Sequence, residues 1–199
     1  MDYAELSRRL AHRVLAEGPE AILSPKRREH SRSVAELAAA LCGRASIDPE
    51  RGRAAGLAHD MCKELPAAEL EALAAAYPGA APGSALLGGK VMHGPAAAVV
   101  LEREYGVDDA EFLDAVAFHT LGRPGMGALE TVVYCADKLE PGRKRIDPAW
   151  REHCLSLPPE LMLPEVVERV IRWLESEGLA VAPETIVLRD SLCRRIPTI

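Results

Sequence analysis

Apolar residues recur three or four positions apart along most of the chain, which is the spacing of one face of a helix. Tyr3, Leu6, Leu10 and Val14 predict an amphipathic helix over residues 2–17, stopped by Gly18-Pro19. His12 falls on its Arg-rich side, the side that turns to solvent. After Ser24-Pro25 a second helix carries Val34, Leu37, Ala38 and Leu41 on one stripe and closes near Gly43. Counting back four from Val34 puts His30 on that buried stripe. Asp48-Pro49, an N-cap followed by a first-turn proline, starts a helix running through Ala55, Ala58, His59 and Cys62, with Asp60 about 100° round from His59.

Pro66 opens a helix to Tyr77, and the Gly/Pro-rich stretch from Pro78 to Lys90 is expected to be a loop able to rim a pocket. His93 is followed by Ala96, Ala97 and Val100 at i+3, i+4 and i+7. Asp108 begins a helix in which Phe112, Ala115, Val116 and His119 share a stripe. The turn Leu121–Gly127 leads to a helix with Leu129, Val133 and Asp137 four apart, ended by Glu140-Pro141-Gly142-Arg143. Beyond Asp147 the pattern is weaker: a helix is expected from Pro164 to Gly178, then a segment at Pro183-Glu184-Thr185. His153, between Trp150 and Leu155, has no matching partner.

Composition sharpens the fold class. Of 199 residues, 48% are hydrophobic and 4% aromatic, which with abundant alanine favours closely packed helices over a β-sandwich. An all-α fold in one domain follows, with an N-terminal helix (1–24), a core (25–146) and a C-terminal helical extension (147–199). The net charge of −6 argues against a general nucleic-acid binder but not against a local basic pocket for phosphate. Five cysteines without a C-x-x-C pair fit a reducing cytoplasm. With no signal-like hydrophobic start and no apolar run near the roughly 18 residues that span a bilayer, neither secretion nor a membrane is expected.

One inward histidine is ordinarily a core residue bonded to backbone. Here His30, His59, Asp60, His93, His119 and Asp137 come from five successive helical segments, each on or beside the buried face. A shared metal-centred site satisfies all of them together, and imidazole and carboxylate ligands without thiolate suit iron, manganese or zinc. Cys42, Cys62 and Cys135 read as small apolar fillers.

In this order the residues resemble the HD-domain metal-dependent phosphohydrolases. More closely, Arg27-x-x-His30-Ser31, the run Ala55 to Lys63, His93-Gly94-Pro95-Ala96-Ala97, the run His119 to Met126, and the run Ala136 to Arg143 are similar to the symmetrical bis(5'-nucleosyl)-tetraphosphatases of the YqeK type. The likeness extends from about Pro25 to Thr185; Ala58 replaces a larger aliphatic residue, and Cys62 another small or apolar one. It implies an HD-domain helical bundle with a metal site in its core, hydrolysing diadenosine tetraphosphate to two ADP. It implies iron, held by His30, His59, Asp60 and Asp137. Lys63, His93, His119, Thr120 and Arg143 would lie around the polyphosphate, with Thr185 near the nucleoside. Lys63, His93 and His119 are the candidate catalytic groups, His93 or His119 protonating the departing ADP, and Arg123 is a further candidate phosphate partner. Whether His93 and His119 hold a second ion or meet phosphate directly stays open, as does monomer or homodimer. Two alternatives remain: an HD nucleotidase or phosphodiesterase with another substrate, and a non-catalytic nucleotide-binding module. Absence of a Gly-Tyr-Pro companion motif weakens a cyclic-dinucleotide substrate, and an intact ligand set weakens the non-catalytic module.

Overall fold

The computed structural model of the protein describes residues 1–79 and 91–194. Among these, ten α-helices and a short 3-10 turn form all the regular structure, without strands. In chain order they are α1 Tyr3–Val14, α2 Pro25–Arg44, α3 Pro49–Ala58, α4 Ala67–Ala74, α5 His93–Tyr105, α6 Ala110–Ala117, α7 Ala128–Leu139, α8 Pro148–Ser156, α9 Pro159–Ser176 and α10 Pro183–Cys193. No described helix is long and apolar enough to cross a membrane. Of the expected loop at 78–90, Pro78 and Gly79 form a turn, and residues 80–90 lie outside the described ones.

Side-chain caps set the helix starts. The carboxylates of Asp2, Asp48, Asp109 and Asp147 accept from backbone N–H groups of the turn that follows, satisfying donors that the helix leaves unpaired. The α6 cap is thus Asp109 rather than Asp108. Helix α8 has no counterpart in the weak apolar pattern of the C-terminal part, although Asp147-Pro148 repeats the signal of Asp48-Pro49. Helix α9 begins five residues before the expected Pro164, which instead lies inside it and removes one helical donor.

Two helices end earlier than their apolar stripes predict. Helix α3 stops at Ala58, where His59 still donates its N–H to Ala55, and tight bonds from Met61 to Ala58 and Lys63 to Asp60 then wind the chain out. Helix α6 stops at Ala117, leaving His119 in the following turn. Both histidines face inward as expected, but from just past a helix end.

Helix α2 packs on α3 and α7, α5 on α4 and α6, and α7 also on α6 and α9. Leu6, Leu10 and Val14 bury α1 against this core. Tyr3 donates to Asp109, which also pairs with Arg51 at 2.5 Å, so one carboxylate joins α1, α3 and the start of α6.

The α2–α3 contact needs glycine. A Cβ on Gly56 would lie 2.6 Å from Cα of Ala35, and one on Gly52 would lie 2.6 Å from the Ala38 carbonyl oxygen. A Cβ on Gly94 of α5 would lie 2.5 Å from the Ala117 carbonyl oxygen. Each obstruction is backbone, which cannot rotate aside.

Gly56→Ala should therefore destabilise the metal-free protein by about 1–3 kcal/mol, overpacking outweighing the gain of roughly 1 kcal/mol in helix propensity. Gly43→Ala, in α2 with its nearest obstruction 3.7 Å away, should be neutral or stabilising. Urea unfolding midpoints check the pair, and a Gly56→Ala protein as stable as the parent would contradict the close-contact argument.

Candidate metal centre

Helix ends and one helix interior aim the site's rings. His59 and His119 each donate Nδ1–H to the carbonyl three residues back, Gly56 and Val116 respectively, both at 2.7 Å. Those carbonyls belong to the last turns of α3 and α6, where intrahelical donors run out, so each ring caps the helix that carries it. The same bonds turn both Nε2 atoms toward the centre. His93 is the first residue of α5 and His30 lies within α2. His59, His93, His119, Asp60 and Asp137 are buried, and His30 is partly so.

The atoms converge in two groups that share Asp60. In one, Nε2 of His59 is 3.2 Å from Nε2 of His30 and 3.8 Å from Asp60 Oδ2. In the other, Nε2 of His93 is 2.9 Å from Asp60 Oδ1 and 3.1 Å from Nε2 of His119. Within each triad, one ligand atom per residue lies within 4.8 Å of the others. Asp137 Oδ1 adds a carboxylate to the first group, 3.0 Å from His30 Nε2 and 3.8 Å from His59 Nε2.

The electrostatics separate the rings. Burial lowers His59 to about 4 and His119 to about 3, and lowers His93 as well, so these are neutral imidazoles at neutral pH. His30 goes the other way: burial pulls it down, but bonds to Asp137 and Glu140 push it up to about 9. Burial pushes both aspartates up, yet Asp60 is held well below the usual carboxylate range by the His59, His119 and His93 rings and Lys63. Lys138, His30 and Arg143 do the same for Asp137.

Cations rim the cluster. Lys63 Nζ lies 2.8 Å from His93 Nε2 and 3.4 Å from Asp60 Oδ1. Arg27 Nη1 lies 3.5 Å from Asp60 Oδ2. Arg143, 43% exposed, pairs with Asp137 Oδ1 and stands 3.3 Å from His30 Nε2. Thr120 Oγ1 is 3.1 Å from His119 Nε2 and 3.3 Å from His93 Nε2.

Two expected substrate residues have other contacts. Arg123 makes two bonds to buried Glu130, at 2.7 and 2.9 Å, and a third to Asp114 at 2.8 Å, while stacking over Phe118. Its charge is matched by these carboxylates, which tie the turn after α6 to α7. Thr185 is buried and donates its hydroxyl to the Leu121 carbonyl at 2.9 Å, fastening α10 to that same turn. Cys42, Cys62 and Cys135 are buried, while His12 and His153 are exposed.

Sequence reasoning gave no role to Lys138 and Glu140. Lys138 Nζ donates to the His119 carbonyl and to Asp137 Oδ2, bridging the two sides of the cluster over the Tyr134 ring. Glu140 Oε1 lies 3.1 Å from His30 Nδ1. The charged ends of the Ala136–Arg143 run were the available signal.

A divalent metal fits the first group. Nδ1 of His59 donates to a carbonyl, which leaves Nε2 with its lone pair inward, the form a metal needs. His30 favours a proton at a position faced by Asp137 and His59, so the site already favours positive charge there. Nitrogen and carboxylate ligands without thiolate match a transition metal of borderline hardness.

The HD domain model matches residues 27–142, an interval that contains the whole cluster and more than half of the chain. The chain is 37% identical over 123 residues to a symmetrical bis(5'-nucleosyl)-tetraphosphatase of Staphylococcus aureus, covering 61% of this chain and 62% of that protein. To its counterpart in Bacillus subtilis it is 36% identical over 122 residues, covering 61% and 64%. The chain thus spans less than two thirds of the length of these curated relatives. A crystal structure described as a predicted HD superfamily hydrolase involved in NAD metabolism, from Clostridium acetobutylicum, superposes with a TM-score of 0.79. There the identity is 27% and the superposition covers 98% of this chain and 99% of that one. With the family's histidine and aspartate positions brought together at one buried centre, the protein belongs to the HD domain family.

Proposed function

We propose that the protein is a metal-dependent hydrolase that cleaves diadenosine tetraphosphate symmetrically to two ADP. The observation that carries this reading is the buried metal-ligand cluster with Lys63 and Arg143 standing directly on it. The relatives named as symmetrical tetraphosphatases supply the substrate class. Iron is the metal assigned, held by His30, His59, Asp60 and Asp137.

When bound, such a metal supplies Lewis acidity and lowers the pKa of water from 15.7 toward about 7. The chain's own groups do the rest. Lys63, which burial pulls below its usual pKa, gains from a phosphoryl oxygen the opposite charge that keeps it protonated. Arg143 offers a planar fork whose exposed edge can pair with phosphate while Nε stays on the Asp137 carbonyl at 2.8 Å.

The structure bears on the expected proton donor. In the free protein His93 and His119 are neutral, and the Nδ1 proton of His119 is committed to Val116. Neither therefore stands ready as a general acid. A polyphosphate placed against them supplies the negative charge that favours their protonated forms, making them phosphate-binding donors first. Thr120, beside both rings, adds a hydroxyl.

Symmetric cleavage requires attack at an inner phosphorus. Where Lys63 and Arg143 hold the attacked half, a water that adds to its inner phosphorus breaks the bond to the bridging oxygen, and the departing group is the other nucleoside diphosphate. Chromatography at early time should show ADP alone, and labelled water should place one new oxygen in one of the two ADP molecules. AMP and ATP in equal amounts would contradict the assignment. Turnover confined to mononucleotides would favour the nucleotidase alternative, and nucleotide binding by metal-loaded protein without hydrolysis would favour the non-catalytic one.

Elemental analysis should find one iron per chain in protein isolated without chelator. His59→Ala and Asp60→Ala should lose it, while His93→Ala and His119→Ala keep it and lose turnover. Two ions in the parent, falling to one in His119→Ala, would instead give the second triad an ion of its own.

Lys63→Ala and Arg123→Ala should part company. The first should lower kcat/KM by about 10²–10³ in protein that is folded and metal-loaded, the range for removing a donor aimed at developing charge. The second should destabilise the fold by about 2–4 kcal/mol, because it leaves Glu130 buried without its cation, with the Gly127 N–H still donating to it, and leave kcat/KM of the folded enzyme near that of the parent. A large loss of kcat/KM in stably folded Arg123→Ala would return Arg123 to the substrate.

A further inference from the structure

The Nδ1 atoms of His59, His119 and His30 raise one question with two answers. His59 and His119 stand past helix ends and find unpaired carbonyls of their own helices. His30 lies in the second turn of α2, where the carbonyls behind it are taken by the helix's own ladder. Its Nδ1 needs an acceptor from elsewhere in the fold, and Glu140 provides it at 3.1 Å.

The segment around Glu140 is shaped for this. Glu140 is the residue that closes α7, and it is buried at 3% exposure. Oε2 accepts the N–H of Gly142, while Oε1 faces His30. Gly142 lies so close that a Cβ there would sit 2.8 Å from Oε2 and 3.1 Å from Oε1, so a side chain at that position would displace the carboxylate. Arg143 then turns back, its Nε on the Asp137 carbonyl and 3.8 Å from Glu140 Oε1.

We propose that Glu140 is a positioning residue that orients His30 through Nδ1 and makes its Nε2 a stronger metal donor, with Gly142 shaping the pocket that holds the carboxylate. This rests on the reading of His30 as a metal ligand. A carboxylate acceptor fixes the ring, as a carbonyl does for His59, but it also draws the Nδ1 proton more strongly and raises the basicity of Nε2. Outer partners of this kind change metal affinity by about 10–100-fold when removed. The motif Glu140-Pro141-Gly142-Arg143 thus acquires a division of labour: Glu140 serves His30, Gly142 leaves room, and Arg143 serves Asp137.

The test is zinc affinity by chelator competition on the full chain, beside urea unfolding of the metal-free forms. Glu140→Gln keeps an acceptor oxygen of the same reach and loses the charge; zinc should bind about 10-fold more weakly, beside whatever lowering of the zinc-free unfolding midpoint follows from losing the pair with protonated His30. Glu140→Ala should weaken zinc about 100-fold, and Gly142→Ala should weaken it with both side chains of the pair still present. Zinc affinity equal to the parent in Glu140→Gln overturns the proposal, as does a change confined to the zinc-free midpoint, which would make Glu140 a structural residue. His30→Ala separates this failure from that of the underlying reading: zinc affinity unchanged in that variant overturns the ligand assignment itself, and the proposal with it.

Discussion

Backbone approaching backbone is the constraint on which the centre of this protein depends. Packed helices ordinarily lie 8–10 Å apart, the distance set by the side chains between them. At Gly56 against Ala35, and at Gly94 against the last turn of α6, the spacing leaves no room even for a methyl group. The first contact joins the helices that lead to His30 and His59, and the second those that lead to His93 and His119, so a larger residue at either glycine would move apart the segments that carry two rings. Gly56 also lends its carbonyl to His59, joining the close contact and the ring's orientation in one residue.

Bringing these groups together creates an electrostatic problem that the surrounding residues answer unequally. Removing an ionised carboxylate from water carries an effective penalty of several kcal/mol even after relaxation, so Asp60 and Asp137 need positive neighbours. Asp137 has Lys138, Arg143 and a protonated His30, whereas Asp60 is faced mainly by neutral rings, with Lys63 and Arg27 at 3.4 and 3.5 Å. A cation between His30, His59 and Asp60 relieves that imbalance, and an anion arriving over Lys63 and Arg143 would find them incompletely engaged. A cation and an anion would thus correct opposite deficits of the same cluster.

Much of this was legible in the residue pattern, for a physical reason: a polar group on an apolar stripe must be satisfied inside. Counting from Val34 to His30, or from Val133 to Asp137, needs only the helical period. What the pattern could not show was how helices end. The apolar stripe continues through His59 and His119 and so predicts helix there, whereas their own imidazoles help to terminate α3 and α6 by taking carbonyls that another turn would have used. Arg123 and Thr185 illustrate the converse limit. A cation and a hydroxyl in such motifs read as substrate groups in one dimension, and only the fold shows that Glu130, Asp114 and the Leu121 carbonyl are also within their reach. Glu140 went unassigned because its partner His30 is 110 residues away in the chain.

The grouping of His30, His59 and Asp60 with Asp137 has a further consequence through mass action. These side chains come from α2, the turn after α3, and α7, so they meet only when the bundle is assembled. An ion bound there belongs to the folded chain and has no equivalent binding place on the unfolded one, so free ion at 100 times its dissociation constant would add about 2.7 kcal/mol to apparent stability. With such an ion the stability of the bundle would follow the concentration of free metal. Where the ion is scarce the unfolded fraction would rise, and that fraction is the one open to proteolysis.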